Sequence, residues 1–288
     1  MAVRKETEMV RIITDSTSDI PQAEAAALGI TVVPLTVHFG DEAYKDGIDL
    51  TNEDFYKKLA AVETLPTTSQ VPPGEFTPLF QGFVDAGDDV VGIFISSEMS
   101  GTFQSAVVAR EHVGRDNVHV IDSRTATFEL ALLVRLAVRF RDAGMTAARI
   151  DARIRELIGR VRLFAVVDTL KYLKMSGRIS TTTAFVGGLL GINPVIAVKD
   201  GRVESAGKAR GLKAGLKMIH EFLQADPPDP DYLVVFGHTN APAALRETVA
   251  FFTKEYDIKD YIEADIGTIV GTHVGPGAAG IAYIAKNL

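Results

Sequence analysis

Hydroxyl side chains crowd three short loops of this chain: Thr14 to Ser18, Ser96 to Thr102, and Asp122 to Thr125. Each loop follows a short apolar, β-branched run, so each sits where a strand should end. Ligands of open α/β sheets bind beyond the carboxyl ends of the strands. Three hydroxyl-rich strand ends would therefore line one rim and hold a polar head group through neutral donors. Taken singly, each hydroxyl reads equally well as the cap of the next helix. Asp15-Ser-Thr-Ser-Asp19 has the wrong spacing for a phosphatase, which wants two acidic residues separated by one. Ser100 stands in Glu98-Met-Ser100-Gly-Thr rather than in the G-x-S-x-G elbow of a hydrolase. A triad assembled only in the fold stays open, so a serine hydrolase acting on acyl esters is the alternative function. Gly275-Pro-Gly277-Ala-Ala-Gly280 spells G-x-G-x-x-G, but eight residues follow it, too few for a dinucleotide-binding unit. In isolation, Asn193 before Pro194 reads as a turn residue, and His273 as a buried structural histidine.

The composition narrows the chemistry further. The chain has 288 residues and no cysteine, which removes disulfide frameworks, cysteine nucleophiles and iron–sulfur sites. Six scattered histidines with no H-E-x-x-H give no metal site, so no metal and no cofactor is expected. The net charge of −7 is the wrong sign for a phosphate-backbone partner, so no nucleic acid is expected. That charge is unevenly placed. Residues 135–217 hold 17 Lys/Arg and 6 Asp/Glu, a net of +11, while the remainder holds 13 and 31, a net of −18. The segment reads either as solvated helix faces or as a basic surface for an anionic partner or membrane face. Residues 179–198 and 266–285 are uncharged at membrane-span length, but their Gly, Thr and Pro content reads as buried turns and short strands. The charged start of the chain leads into no apolar signal core, and a cytoplasmic protein is expected.

The elements that must position these residues alternate. Strands are expected at residues 10–13, 30–39, 90–95 and 118–121. Helices are expected after the Thr51-Asn-Glu-Asp54 capping box, from about 102 to 112, and over 126–142. Further on, strands are expected at 163–167, 194–198, 202–205, 232–238 and 261–266, with helices at 212–223 and 242–256 and a proline-rich turn at 226–231. The pattern is α/β with two domains: an N-terminal α/β domain with a largely parallel sheet (1–165) and a smaller C-terminal α+β domain (166–288).

Six motifs then stand in order: Ile13-Thr-Asp-Ser-Thr-Ser-Asp19, Thr67-Thr-Ser-Gln70, Ser96-Ser-Glu-Met-Ser-Gly-Thr-Phe-Gln-Ser105, Ser176-Gly-Arg-Ile179, Gly191-Ile-Asn-Pro-Val-Ile196 and Thr272-His-Val-Gly-Pro-Gly277. Each is weak alone. Together, from Val10 to Ala285, the chain resembles the DegV family of bacterial fatty-acid-binding proteins. The resemblance implies a non-catalytic subunit that holds one long-chain fatty acid in a buried tunnel. It implies an ATP-dependent fatty acid kinase subunit as partner, which converts the bound carboxylate to an acyl phosphate used in phospholipid synthesis. Transient contact with an anionic membrane is a further expectation. Carried over residue by residue, the resemblance gives Thr68 and Ser100 the carboxylate. Ser69, Gly101, Thr102, Asn193 and His273 fall in the supporting polar network, and Arg178 at a position tied to phosphoryl transfer and the partner. Val71 departs from the proline usual there, although Pro72 and Pro73 keep a rigid turn.

The physics of such a ligand agrees with those residue types. Each buried CH₂ contributes about 0.8 kcal/mol, so the tail supplies most of the affinity. The carboxylate must still be hydrogen-bonded, and hydroxyls do this without adding a competing charge. Gly187, Gly188 and Gly191, with Gly275, Gly277 and Gly280, would let backbone approach closely around the tunnel.

Overall fold

A computed structural model describes residues 9–114, 116–180 and 191–286. From the N-terminus, β1 (Val10–Asp15) passes through a short 3-10 turn (Ser16–Ser18) to α1 (Gln22–Leu28), β2 (Ile30–Val33), β3 (Thr36–Phe39), β4 (Glu42–Lys45), α2 (Asn52–Ala61) and β5 (Thr67–Ser69). Then come α3 (Pro73–Asp85), β6 (Asp89–Phe94), α4 (Thr102–Val113), β7 (Val118–Asp122), α5 (Thr127–Asp142) and α6 (Ala147–Ile158). The rest comprises β8 (Val161–Val166), α7 (Lys171–Met175), β9 (Asn193–Lys199), β10 (Arg202–Ala209), α8 (Leu212–Ala225), β11 (Val234–His238), α9 (Pro242–Tyr256), β12 (Tyr261–Asp265), α10 (Thr268–Val274) and β13 (Ala279–Ile284).

The strands form two main sheets. The first, in the order β2-β1-β6-β7, is parallel throughout, as its βα alternation predicts. The second, β10-β9-β8-β13-β11-β12, is antiparallel except for the β11–β12 pair. The 165/166 division falls within β8, whose neighbours β9 and β13 both belong to this second sheet. Sequence patterning anticipates neither the third sheet, β4-β3-β5, nor the break of residues 30–39 into two strands. Pro34 has no N–H for a ladder, so the chain leaves the first sheet after Val33 and enters the third at Thr36.

Helix α5 lies between the main sheets and packs on both. Its Phe128, Leu130, Leu132, Leu133, Val134 and Leu136 are buried around almost its whole circumference, as a helix with sheets on two sides must be. The half-buried Arg135 on this helix is held by Glu24, at 2.8 and 2.9 Å. Outside this sandwich, α3 and α4 cover the first sheet through Phe76, Phe80, Ala106 and Ala109. Helices α8 and α9 cover the second through Leu216, Ile219, Leu245 and Phe252. Thr51 caps α2 as the capping box predicts, its hydroxyl accepting from the Asp54 amide at 3.1 Å. Among the described residues no helix is long and apolar enough to cross a membrane. Residues 266–285 hold a helix, α10, as well as the expected turns and strand.

Four arginines of the basic segment pair with acids from outside it. Arg135 pairs with Glu24, Arg160 with Asp229, Arg162 with Asp226 and Arg202 with Glu98. These pairs offset part of its net charge of +11.

Candidate functional site

A cavity of about 340 Å³ lies between strands β8–β10 of the second sheet and the segments that follow β2, β6 and β7 of the first. Its walls are apolar: Leu35, Ile95, Leu163, Ile196, Val198 and Ile269. Thr68, Ser69, Gln70, Ser100, Gly101, Thr127, Arg178 and His273 supply its polar lining. An apolar pocket with a few converging polar groups is the usual shape of a small-molecule site.

The loop after β6 reaches the cavity because its stem is fixed. Asp15, at the end of β1, accepts the Ile95 amide at 2.8 Å and the Thr17 amide at 3.0 Å. Burial pushes that carboxyl up to about 6, against the opposing pull of those bonds. Thus the first hydroxyl loop serves the fold rather than the rim, and Ser16 Oγ is likewise occupied by the Leu35 amide at 3.0 Å. The third loop acts indirectly. Asp122 accepts the Ser97 amide at 3.1 Å, and the Thr125 carbonyl accepts the Ser96 amide at 2.8 Å. The expected rim of three hydroxyl loops thus reduces to the second loop and the start of α5. Opposite, Ser96 Oγ donates to the Gly201 carbonyl at 2.7 Å and Arg202 pairs with Glu98, which draws the β9–β10 hairpin over the cavity.

The candidate head-group residues are arranged to donate. Ser100 Oγ accepts the Thr102 amide at 3.3 Å and lies 3.0 Å from Thr102 Oγ1. Thr102 Oγ1 in turn accepts the Val71 amide at 3.3 Å, a bond that a proline at this position could not make. With Thr102 donating to Ser100, Ser100 keeps its own O–H for the cavity. On the facing wall, Thr68 Oγ1 and His273 Nε2 are 2.9 Å apart. Burial, and then the Arg178 cation, push the His273 imidazole down to about 4, so it is neutral at physiological pH. A neutral ring that donates from Nε2 leaves the Thr68 hydroxyl hydrogen for the cavity. His273 Nδ1 is buried and has no hydrogen-bond partner among the described residues.

Thr68, Ser69, Ser100, Gly101, His273 and Arg178 are therefore brought to one cavity. Arg178 lines it too, although its expected position faces a partner; its Nη1 donates to the Ser176 carbonyl at 2.6 Å. Thr102 stands behind Ser100. Asn193 is not in the lining: its amide donates to Asp168 Oδ1 at 3.1 Å and to the Val167 carbonyl at 3.3 Å, tying β9 to the end of β8. The glycines also act elsewhere. A Cβ on Gly275 or Gly277 would strike Tyr172 or Asp168, and one on Gly280 the Phe164 carbonyl, so their close approaches are packing contacts rather than tunnel wall. Gly187 and Gly188 lie outside the described residues.

Two lining residues carry no sequence role. Gln70 lies across Gly101, where a Cβ would meet its amide at 2.0 Å, and donates to Ser105 Oγ at 3.0 Å. Its place in the Thr67–Gln70 motif is the signal that could have found it. Thr127 has a φ of 55°, left-handed backbone that a β-branched residue rarely adopts and that no sequence pattern announces. Among the described residues no group of three or more His, Asp or Glu is placed to hold a metal ion.

Comparison with known proteins gives one consistent answer. The model of an uncharacterised protein family, DegV, matches residues 9–286. A DegV domain-containing protein of Caldanaerobacter subterraneus subsp. tengcongensis is 37% identical over 280 residues, 97% of this chain and 100% of that protein. A fatty-acid-binding DegV family protein from Thermus thermophilus shares the fold at a TM-score of 0.86 and 31% identity, covering 96% of this chain and 99% of its own. A stearic-acid-binding protein from Eubacterium ventriosum does so at 0.88 and 29%, with the same coverage.

Proposed function

The chain belongs to the DegV family, and from that premise we propose that it binds one long-chain fatty acid in its apolar cavity. It presents the carboxylate to an ATP-dependent kinase subunit that forms the acyl phosphate. The observation that carries this reading is the cavity itself, apolar along its walls and closed at one side by Thr68, Ser100 and a neutral His273. The tail supplies affinity, while the two hydroxyls hydrogen-bond the carboxylate without quenching it as a nucleophile. Arg178, whose cation is felt at His273, is placed to offset the charge that phosphoryl transfer would bring. Thr68, Ser69, Ser100, Gly101 and His273 form the head-group site, Thr102 orients Ser100, and Asn193 holds the strand beneath.

The serine hydrolase reading fares worse. His273 meets Thr68 rather than Ser100, and among the described residues its Nδ1 meets no carboxylate that would orient it as a base. Ser100→Ala separates the two. As a carrier the parent protein has no ester turnover, and the variant loses about 1.5–3 kcal/mol of fatty-acid affinity, one hydrogen bond to a charged group. Titration with palmitate alongside a chromogenic ester assay reads both. Ester turnover in the parent that Ser100→Ala abolishes would replace the carrier reading with the hydrolase.

A further inference from the structure

Both walls of the cavity run back to the same two carboxylates, those of half-buried Asp19 and buried Asp46. Asp19 closes the turn after β1. Its Oδ2 accepts the Thr127 hydroxyl at 2.6 Å, at the start of α5, and its Oδ1 accepts the Gly267 amide at 2.8 Å, at the start of α10. Asp46 accepts the next amide and hydroxyl along, Thr268 N at 3.2 Å and Thr268 Oγ1 at 2.8 Å. A Cβ on Gly267 would lie 3.0 Å from Asp19 Oδ1 and 3.3 Å from Asp46 Oδ1, so the two carboxylates flank one point and leave no room for a side chain there.

What these bonds hold is the site. Thr127 lines the cavity in its left-handed conformation. Helix α10 carries Ile269, Val270 and His273 along the opposite wall. Asn52 and Tyr56 add donors to the Asp265 and Ile266 carbonyls at 3.1 Å each, fixing the same segment from α2.

We propose that Asp19 and Asp46 are paired positioning residues of the fatty-acid site, which set the spacing of its two walls and so the rate at which the acyl chain escapes. The inference rests on the fatty-acid reading. Among the described residues neither carboxylate has a basic partner. The titratable and charged groups that face them are Asp15 on β1, Tyr56 on α2, Glu263 and Asp265 on β12, His238 on β11 beside Asp265, and Arg135 on α5, whose Nε and Nη2 donate to Glu24 of α1 while its Nη1 has no hydrogen-bond partner among the described residues. Burial raises both carboxyls, and Asp46 raises Asp19 further. A raised carboxyl gives its stabilisation in the protonated form and loses it as pH rises. Two like charges then face each other across Gly267, and the grip on α10 loosens.

The test is the rate at which bound palmitate transfers to excess albumin, followed from mildly acidic to mildly alkaline pH. In the parent, transfer accelerates as pH rises. Asp46→Asn keeps an acceptor for Thr268 and carries no charge, so its profile is flatter than the parent's. Asp19→Ala loses both bonds and releases palmitate about tenfold faster at every pH, whereas Asp19→Asn, which can still accept from Gly267 and hydrogen-bond Thr127, stays within about twofold of the parent in mild acid. Parent-like rates and an unchanged pH profile in folded Asp19→Ala and Asp46→Asn would overturn the proposal. Should Asp19→Ala not fold, the Asp46→Asn profile decides alone. A parent that never holds palmitate sinks the fatty-acid reading instead. Amide exchange over residues 269–274 then still tests the positioning role: only if the pair fixes α10 is it alike in Asp46→Asn and the parent in mild acid and slower in Asp46→Asn at mildly alkaline pH.

Discussion

Ala126→Phe is expected to expel the fatty acid while leaving the fold intact. Ala126 is buried, lines the cavity, and has extended backbone (φ −152°, ψ 175°) that phenylalanine adopts freely. A ring at that position takes the space of roughly four methylenes in a cavity of about 340 Å³. Excluding four methylenes of ligand costs about 3 kcal/mol, or roughly 100-fold in affinity. The protein itself fares differently, since filling an apolar cavity restores contacts that its lining otherwise lacks. The melting temperature of delipidated Ala126→Phe should therefore match or exceed that of the delipidated parent, while palmitate titration shows the loss. Unchanged affinity would place the acyl chain somewhere other than this cavity.

Glu129→Gln is expected to be the larger effect on stability, and it grows with pH. Glu129 sits on α5 between the sheets, 1% exposed, with the Thr125 hydroxyl as its hydrogen-bond donor. Burial pushes its carboxyl up from 4.5 to about 8, more than the Thr125 bond and the Arg162 cation pull it back. The folded chain thus holds this proton more tightly than the unfolded chain does. Its contribution is whole below about 4.5 and is lost progressively as pH rises to about 8, on the order of 5 kcal/mol in all. Glutamine still accepts from Thr125 and has no charge to bury. Urea unfolding should find the variant and parent alike in mild acid, with the variant gaining steadily toward alkaline pH. Parallel pH curves for the two proteins would contradict the assignment of that proton to Glu129.

These two positions also mark how far the sequence could be read. Helix α5 was legible because residues 126–142 are apolar on nearly every side, and the structure shows why, with a sheet on each side. The capping box at Thr51 and the full span of α9 were legible because both signals are local. Sheet β4-β3-β5 was not, since β3 and β5 are short and find each other across about thirty residues of chain. Thr68 owes its place facing His273 to that unforeseen sheet. Thr68, Ser100 and His273 could be named from motifs, but their shared cavity follows from long-range pairing that no spacing encodes. Asn193 was named for the same reason and lies behind the wall, because a motif marks a residue that matters without saying whether it serves the ligand or the fold. Asp19 shows the converse. Its motif looks like chemistry, whereas its carboxylate is spent on Thr127 and Gly267.

The most direct test of the central claim is native mass spectrometry of the freshly purified chain, followed by extraction and identification of whatever is bound. A single long-chain fatty acid at near-unit occupancy is the predicted result, lost on delipidation and regained with palmitate. A bare chain mass that no added fatty acid shifts would contradict it.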